Sequence, residues 1–273
     1  MADLTELLTP DTIAVHVHAD DWEAAIRHAG QLLVDSGTCT PDYTGEMIDT
    51  VRDNGPYIVI APGLAFAHAR PSPAVHRTGM SLTVLAEPVA FGHPDNDPVS
   101  LVVALAATDP DTHLSAMRQL ARSFRPERKR VEITRADSPR EVHRILSGDP
   151  TGTRREQARP TSATTTVAEG TGTSETVPSK GLILTVCGNG LGTSLFLKNT
   201  LEDVLDGWGW SRHMRVEATD TISAKGRAGD ADCILTSGEI ARALGDLGVP
   251  VRVISDFTST DEIDAALRGI YAV

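Results

Sequence analysis

The chain has 273 residues, enough for one large or two ordinary domains, and 40% of them are hydrophobic, which supports a buried core and argues against global disorder. With 25 basic and 37 acidic residues the formal charge is −12, which argues against nucleic acid as a partner because its phosphates would be repelled. Three cysteines, Cys39, Cys187 and Cys233, are too few and too scattered for a disulfide framework or a metal-ligand spacing. The start MADLTELLTPD lacks the basic and apolar regions of a signal peptide, and no run of about 18 apolar residues is present to span a membrane.

In chain order, TIAVHVHA (12–19) alternates like a strand. Asp20 or Asp21 then caps a helix whose apolar positions Trp22, Ala25, Ile26, Ala29, Leu32 and Leu33 follow the 3.6-residue period. A second helix starts at Pro41 and stops at Asn54-Gly55. YIVI (57–60), SLTVL (81–85) and SLVVALAA (100–107) read as strands, and Pro110-Asp111-Thr112 opens a helix through Phe124. Helical segments around 127–135 and 138–147 follow, so residues 1–150 read as a mixed-sheet α/β domain.

From Thr151 to Ser179 the chain has two valines and no Leu, Ile, Met or aromatic residue. Such a segment buries too little to offset its ordering entropy and is expected to be a disordered linker. Residues 180–273 then alternate strand and helix: GLILTV, a helix over 193–205, RVEAT, DCILTS, a helix over 238–245, VPVRVIS, and a helix from Asp261 to Tyr271. That pattern predicts a doubly wound, parallel, four-stranded sheet whose ligand site lies at the carboxyl ends of the strands.

The first of these strands runs into VCGNGLGTSL (186–195). The spacing of Gly188, Gly190 and Gly192 does not fit G-x-G-x-x-G. A Walker loop requires Gly-Lys-Ser/Thr, whereas Thr193 follows Gly192 and the nearest lysine is Lys198. What remains is a cysteine at a strand end, followed by N–H groups of Gly188, Asn189, Gly190, Leu191 and Gly192 that can converge on an anion, with Thr193 and Ser194 opening a helix. The nest and the helix terminus are expected to lower the Cys187 thiol pKa and to stabilise phosphate oxygens on the sulfur. A phosphatase loop of this shape needs arginine six residues after the cysteine. Thr193 stands there, so the loop suits accepting and passing on a phosphoryl group better than hydrolysing it. The plain alternative is a buried strand-end cysteine followed by a turn.

The segment KGLILTVCGNGLGTSLFLKNTLEDVL resembles the IIB component of the bacterial phosphoenolpyruvate-dependent sugar phosphotransferase system (PTS), of the lactose- and ascorbate-like type. The resemblance covers residues 180–273 and implies that Cys187 carries a phosphoryl group.

A phosphocysteine needs a donor. His68 lies in PYIVIAPGLAFAHARPSPAV, in what reads as a Pro-Gly-rich turn between short strands, and a histidine nitrogen can take and release phosphorus. His113 falls in the first turn of the helix opened by ATDPDTHL, and Arg70 is two residues from His68, able to neutralise phosphate oxygens. His16, His18, His76, His93, His143 and His213 lack such context. PYIVIAPGLAFAHARP, SLTVLAEPVAFG and NDPVSLVVALAATDPDTHLSAM resemble the IIA component of the mannitol–fructose superfamily, again of the ascorbate type, over about residues 5–148. The resemblance implies that His68 is the phosphohistidine and His113 the second active-site histidine. Ala67 stands where the family usually has proline, which would stiffen the approach to the histidine.

Together the resemblances imply a protein-N(π)-phosphohistidine–sugar phosphotransferase, a IIA–IIB fusion. Phosphate would pass from the carrier HPr to His68, to Cys187, and on to a sugar, ascorbate or a similar compound, held by a separate membrane IIC subunit. The chain would be cytoplasmic, at the inner membrane face through that subunit, with a homodimer possible and no cofactor or metal required. His68 is expected in a shallow, partly apolar depression that both partners can reach. The alternative from the same residues is a regulatory sensor whose phosphorylation state reports carbon supply, without a transport role.

Overall fold

The computed structural model describes residues 4–148, 179–187 and 192–271. The expected linker up to residue 178, and Gly188, Asn189, Gly190 and Leu191 of the glycine loop, lie outside the described residues.

The first domain opens with α1 (Leu4–Leu7) and a short 3-10 turn leading to β1 (Ile13–Val17). In α2 (Trp22–Asp35), Asp21 is the N-cap, accepting from Ala24 N at 2.8 Å, and Ala25, Ile26, Ala29 and Leu33 are buried as the period requires. In α3 (Pro41–Asn54), proline occupies the first turn and Gly55, at φ 75°, ends the helix. The strands β2 (Val59–Ala61), β3 (Leu64–His68), β4 (Gly79–Val89) and β5 (Val99–Ala106) precede α4 (Pro110–Phe124), α5 (Glu127–Thr134) and α6 (Pro139–Ser147).

The strands form one mixed sheet in the order β1-β4-β5-β3-β2. β1 lies parallel to β4 and β3 parallel to β5, whereas β4–β5 and β2–β3 are antiparallel. The apolar faces of α2 and α3 cover one side, over Ala65, Ala67, Val102 and Ala104. The other side, with Phe66, Leu82, Val103 and Leu105, packs against α4.

Two expectations are corrected here. The strand expected at 57–60 sits at Val59–Ala61, and β3, which was not expected, follows it across Gly63, at φ 73°. His68 is therefore the last residue of a central strand, not a turn residue.

The second domain comprises β6 (Leu182–Cys187), α7 (Gly192–Gly207), β7 (Arg215–Asp220), α8 (Thr221–Arg227), β8 (Cys233–Thr236), α9 (Gly238–Leu244), β9 (Val251–Val253) and α10 (Thr260–Tyr271). Its four strands are all parallel, in the order β7-β6-β8-β9. Ile183 packs toward α7 and α10 on one side, and Leu182, Leu184 and Val186 toward α8 and α9 on the other. Helix α8 is an addition to the expected pattern, started by Asp220, which accepts from Ile222 N and Ser223 N. Ser179, expected to end the linker, hydrogen-bonds the Asp232 carboxylate at 2.5 Å.

The two domains are docked. One apolar cluster runs from Phe66, Leu105 and Leu120 into Phe196, Leu197 and Leu201, with the Phe66 and Phe196 rings 5.7 Å apart. The edge strand β2 offers the Ile60 carbonyl to Phe257 N at 3.0 Å, and Asn96 Nδ2 donates to Ser255 O at 2.8 Å. The buried Arg130 donates to Phe124 O, Arg125 O and, across the interface, Thr258 Oγ1 at 3.2 Å. Arg125 pairs with Asp203 on α7.

Candidate active site

Strand β3 ends at His68 beside Leu105 of β5. The Tyr43 hydroxyl accepts from Ala69 N at 3.2 Å and lies 2.9 Å from Leu105 O and 3.1 Å from Ala69 O, fixing the backbone just after His68. His68 Nδ1 is 3.0 Å from Phe66 O. A carbonyl only accepts, so Nδ1 carries the proton and Nε2 keeps its lone pair. The ring stacks on Phe66 at 4.9 Å and meets His113 at 5.5 Å and the edge of Tyr57 at 6.0 Å.

His113 sits in the first turn of α4, whose N-cap Asp109 accepts from Thr112 N at 2.9 Å. Its Nδ1 is buried without a hydrogen-bond partner, as is the Tyr57 hydroxyl. Burial pushes His68 down to about 4, the Phe66 carbonyl pulling weakly the other way. Burial, then repulsion from His68, takes His113 down to about 3. Both rings are neutral at physiological pH. His68 is only 4% exposed, with Phe66, Tyr57 and His113 around its ring, which corrects the expected open depression.

Cys187 ends β6, and its thiol donates to Ser194 Oγ at 3.3 Å. Thr193 and Ser194 are buried at the start of α7, which Thr185 Oγ1 ties to β6 through Ser194 O at 3.0 Å. The expected lowering of the thiol pKa is corrected. The Ser194 hydroxyl, the Ser194 N–H and the Thr193 hydroxyl do pull it down, but burial outweighs them and Asp220 adds to burial, so the net shift is upward. In this docked state Cys187 is a protonated thiol. Burial raises the Tyr57 phenol first, and a charge on the Cys187 sulfur would add to that shift through space.

The structure thus brings His68 and His113 together at the carboxyl end of β3, and Cys187, Thr193 and Ser194 together, buried, at the carboxyl end of β6. Arg70 is exposed just beyond β3. Gly192 is the first residue of α7. Sequence reasoning missed Tyr43 and Tyr57. Tyr57 falls within a stretch read only as a strand, and no spacing singles it out.

Each of the two docked α/β domains thus holds one nucleophile, a histidine or a cysteine, at the carboxyl end of a strand. The family described as "Phosphoenolpyruvate-dependent sugar phosphotransferase system, EIIA 2" matches residues 6–148, more than half of the chain, and the chain belongs to that family. A second family, "PTS system, Lactose/Cellobiose specific IIB subunit", matches residues 182–268, so IIA and IIB modules are fused in one chain.

Among relatives, the "Ascorbate-specific PTS system EIIA component" of Escherichia coli strain K12 is 42% identical over 102 residues, 37% of this chain and 66% of the relative. The protein of the same description from Salmonella choleraesuis is 42% identical over 103 residues, 38% of this chain and 67% of that one. The chain thus spans about two thirds of the length of these curated relatives. The solution structure of the mannitol-specific cryptic phosphotransferase enzyme IIA from Escherichia coli aligns with a TM-score of 0.50 at 32% identity, covering 54% of this chain and 99% of that one.

Proposed function

We propose that the chain relays a phosphoryl group from HPr to His68, from His68 to Cys187, and from Cys187 to a sugar or sugar acid held by a membrane IIC subunit. The observation that carries this reading is the docked state. It joins the two modules through one apolar cluster, with His68 and Cys187 each buried at the carboxyl end of a strand and Tyr57 against the ring of His68.

The chemistry follows from the hydrogen bond to Phe66 O. His68 accepts phosphorus through Nε2 and keeps Nδ1–H, so the phosphorylated ring is cationic and leaves as neutral imidazole. When Cys187 attacks, the P–N pair returns to Nε2 and a sulfur pair forms the P–S bond. The thiol proton passes to a phosphoryl oxygen, so no further base is required. In the second domain the Thr193 and Ser194 hydroxyls and the start of α7 hold the charge that arrives on sulfur.

The description of the relatives supports ascorbate or a related sugar acid as the cargo, and on this reading the chain works at the cytoplasmic face of the membrane beside its IIC partner. Residues 1–150 act as the IIA domain and 180–273 as the IIB domain. Residues 151–179 join the two domains in one chain, so transfer between them is intramolecular. Arg70, with Gly188 to Gly192, completes the phosphate contacts.

The test incubates the protein with phosphoenolpyruvate, enzyme I and HPr, and maps the label. Wild type should carry it on both residues, Cys187→Ser on His68 alone, and His68→Ala on neither. Label reaching Cys187 without His68 would overturn the order of the relay.

A further inference from the structure

We propose that the Tyr57 hydroxyl is a further catalytic group of this site, donating a hydrogen bond to the phosphoryl oxygens as they pass from His68 Nε2 to Cys187 Sγ. The proposal rests on the phosphoryl relay described above.

Tyr57 is 5% exposed, and its hydroxyl has no hydrogen-bond partner among the described residues. A buried, unpaired hydroxyl is costly and calls for an explanation. The ring cannot swing out to water while the domains are docked, because the backbone around it is tied on several sides. Val59 N donates to Pro56 O at 2.9 Å, Phe66 N to Ile58 O at 2.8 Å, and Phe257 N of the second domain to Ile60 O at 3.0 Å. Asn96 Nδ2 donates to Val59 O at 3.2 Å.

Position supplies the explanation. The ring meets His68 edge-on at 6.0 Å, and a charge arriving on the Cys187 sulfur would act on the phenol through space. What lies between those two groups during transfer is an acceptor-only phosphoryl group, which needs donors. His68 Nδ1 is already committed to Phe66 O. Among the described residues against His68, the Tyr57 hydroxyl is buried without a partner, as is His113 Nδ1, which donates in its Nδ1–H tautomer. Burial raises the phenol pKa, so Tyr57 holds its proton at every working pH. It shares that proton without transferring it. The P–N bond breaks with its pair returning to the ring, the P–S bond forms, and the thiol proton ends on phosphate.

The test is Tyr57→Phe in the full chain, with the His68-to-Cys187 step followed by rapid quench. Losing a hydrogen bond to a charged group predicts a step slowed roughly 10- to 100-fold. The melting temperature should stay the same or rise, because the variant removes an unsatisfied buried hydroxyl. Transfer at the wild-type rate overturns the proposal, as does a loss of rate matched by a loss of stability, the signature of a packing role.

A second measurement leaves Tyr57 intact. With only three tyrosines in the chain, ring-carbon labelling of Cys187→Ser should show the Tyr57 resonance moving when His68 is phosphorylated. A resonance that stays in place also overturns the proposal. Failure of the relay itself is recognised separately, as wild-type protein that never passes label from His68 to Cys187, and it removes this proposal with it.

Discussion

Burial keeps water from His68 and His113, which makes both rings weak bases. An ordinary histidine titrates near 6.5, whereas these buried rings lie at about 4 and about 3. To the extent that docking supplies the burial, the undocked form binds more protons between those values, and docking is strongest above pH 6.5 and weakens as pH falls, by up to about 1 kcal/mol per ring at pH 5.5. Cys187 acts in the opposite direction. Its pKa is raised above 9.0, so ionisation favours the undocked form once pH rises past that value. A fluorescence-transfer pair with one label per domain should report closest approach near neutral pH and separation toward pH 5.5 and above pH 9. A signal flat across pH would show that docking does not create these shifts. His68 and Cys187 were legible as sequence because each stands in a distinctive local pattern. The direction of the Cys187 shift was not, because the burial that decides it comes from contacts distant in the chain. The same holds for Tyr57, whose burial among Ala25, Tyr43 and Val102 comes from residues distant in the chain.

At the scale of elements, the helices were legible because their caps are local: Asp21, Pro41, Asp109 and Gly55 stand where the observed helices begin or end. Strand β3 escaped because all five of its residues are buried. LAFAH has no polar–apolar alternation to mark a strand, and the preceding Pro62-Gly63 reads as a turn. The packing of α2 on α3 was equally invisible. A Cβ added at Gly30 would stand 2.3 Å from Thr44 Oγ1, so the glycine permits a close helix approach. Two effects compete in Gly30→Ala. Helix propensity favours alanine by about 1 kcal/mol, while overpacking costs about 1–3 kcal/mol. Because the clash is with a buried β-branched side chain, overpacking should win and the variant should melt lower. Thr44 Oγ1 is itself buried without a partner. Gly30→Ala/Thr44→Ala should therefore recover most of the loss in a denaturant titration, and a double variant no better than the single would place the cost elsewhere.

For the whole molecule, the proposed relay poses a conflict, because a donor has to reach His68, which is only 4% exposed, before His68 can serve Cys187. On that reading the interface has to be firm enough to form and loose enough to open. Its composition fits both demands. The Phe66–Phe196 contact and a few hydrogen bonds from the 255–258 segment hold it. Between α4 and α7 it encloses a cavity of about 460 Å³ lined by charged groups, among them Arg122, Arg125, Glu202 and Asp203, the polar character expected of domains that separate. Trimming the apolar contact should shift the balance without touching the reacting atoms. Phe196→Ala removes a buried ring, a change worth about 3 kcal/mol in a packed core, shared here between the second domain's own packing and the interface. The undocked population then grows. Phosphorylation of His68 by HPr should become faster, since more molecules expose the imidazole, while transfer from His68 to Cys187 should become slower, since fewer are docked. Opposite signs on the two steps, measured separately by rapid quench, are the signature of a docking equilibrium. If both steps slow together, Phe196 supports only the fold of its own domain and the burial of His68 does not gate its encounter with the donor.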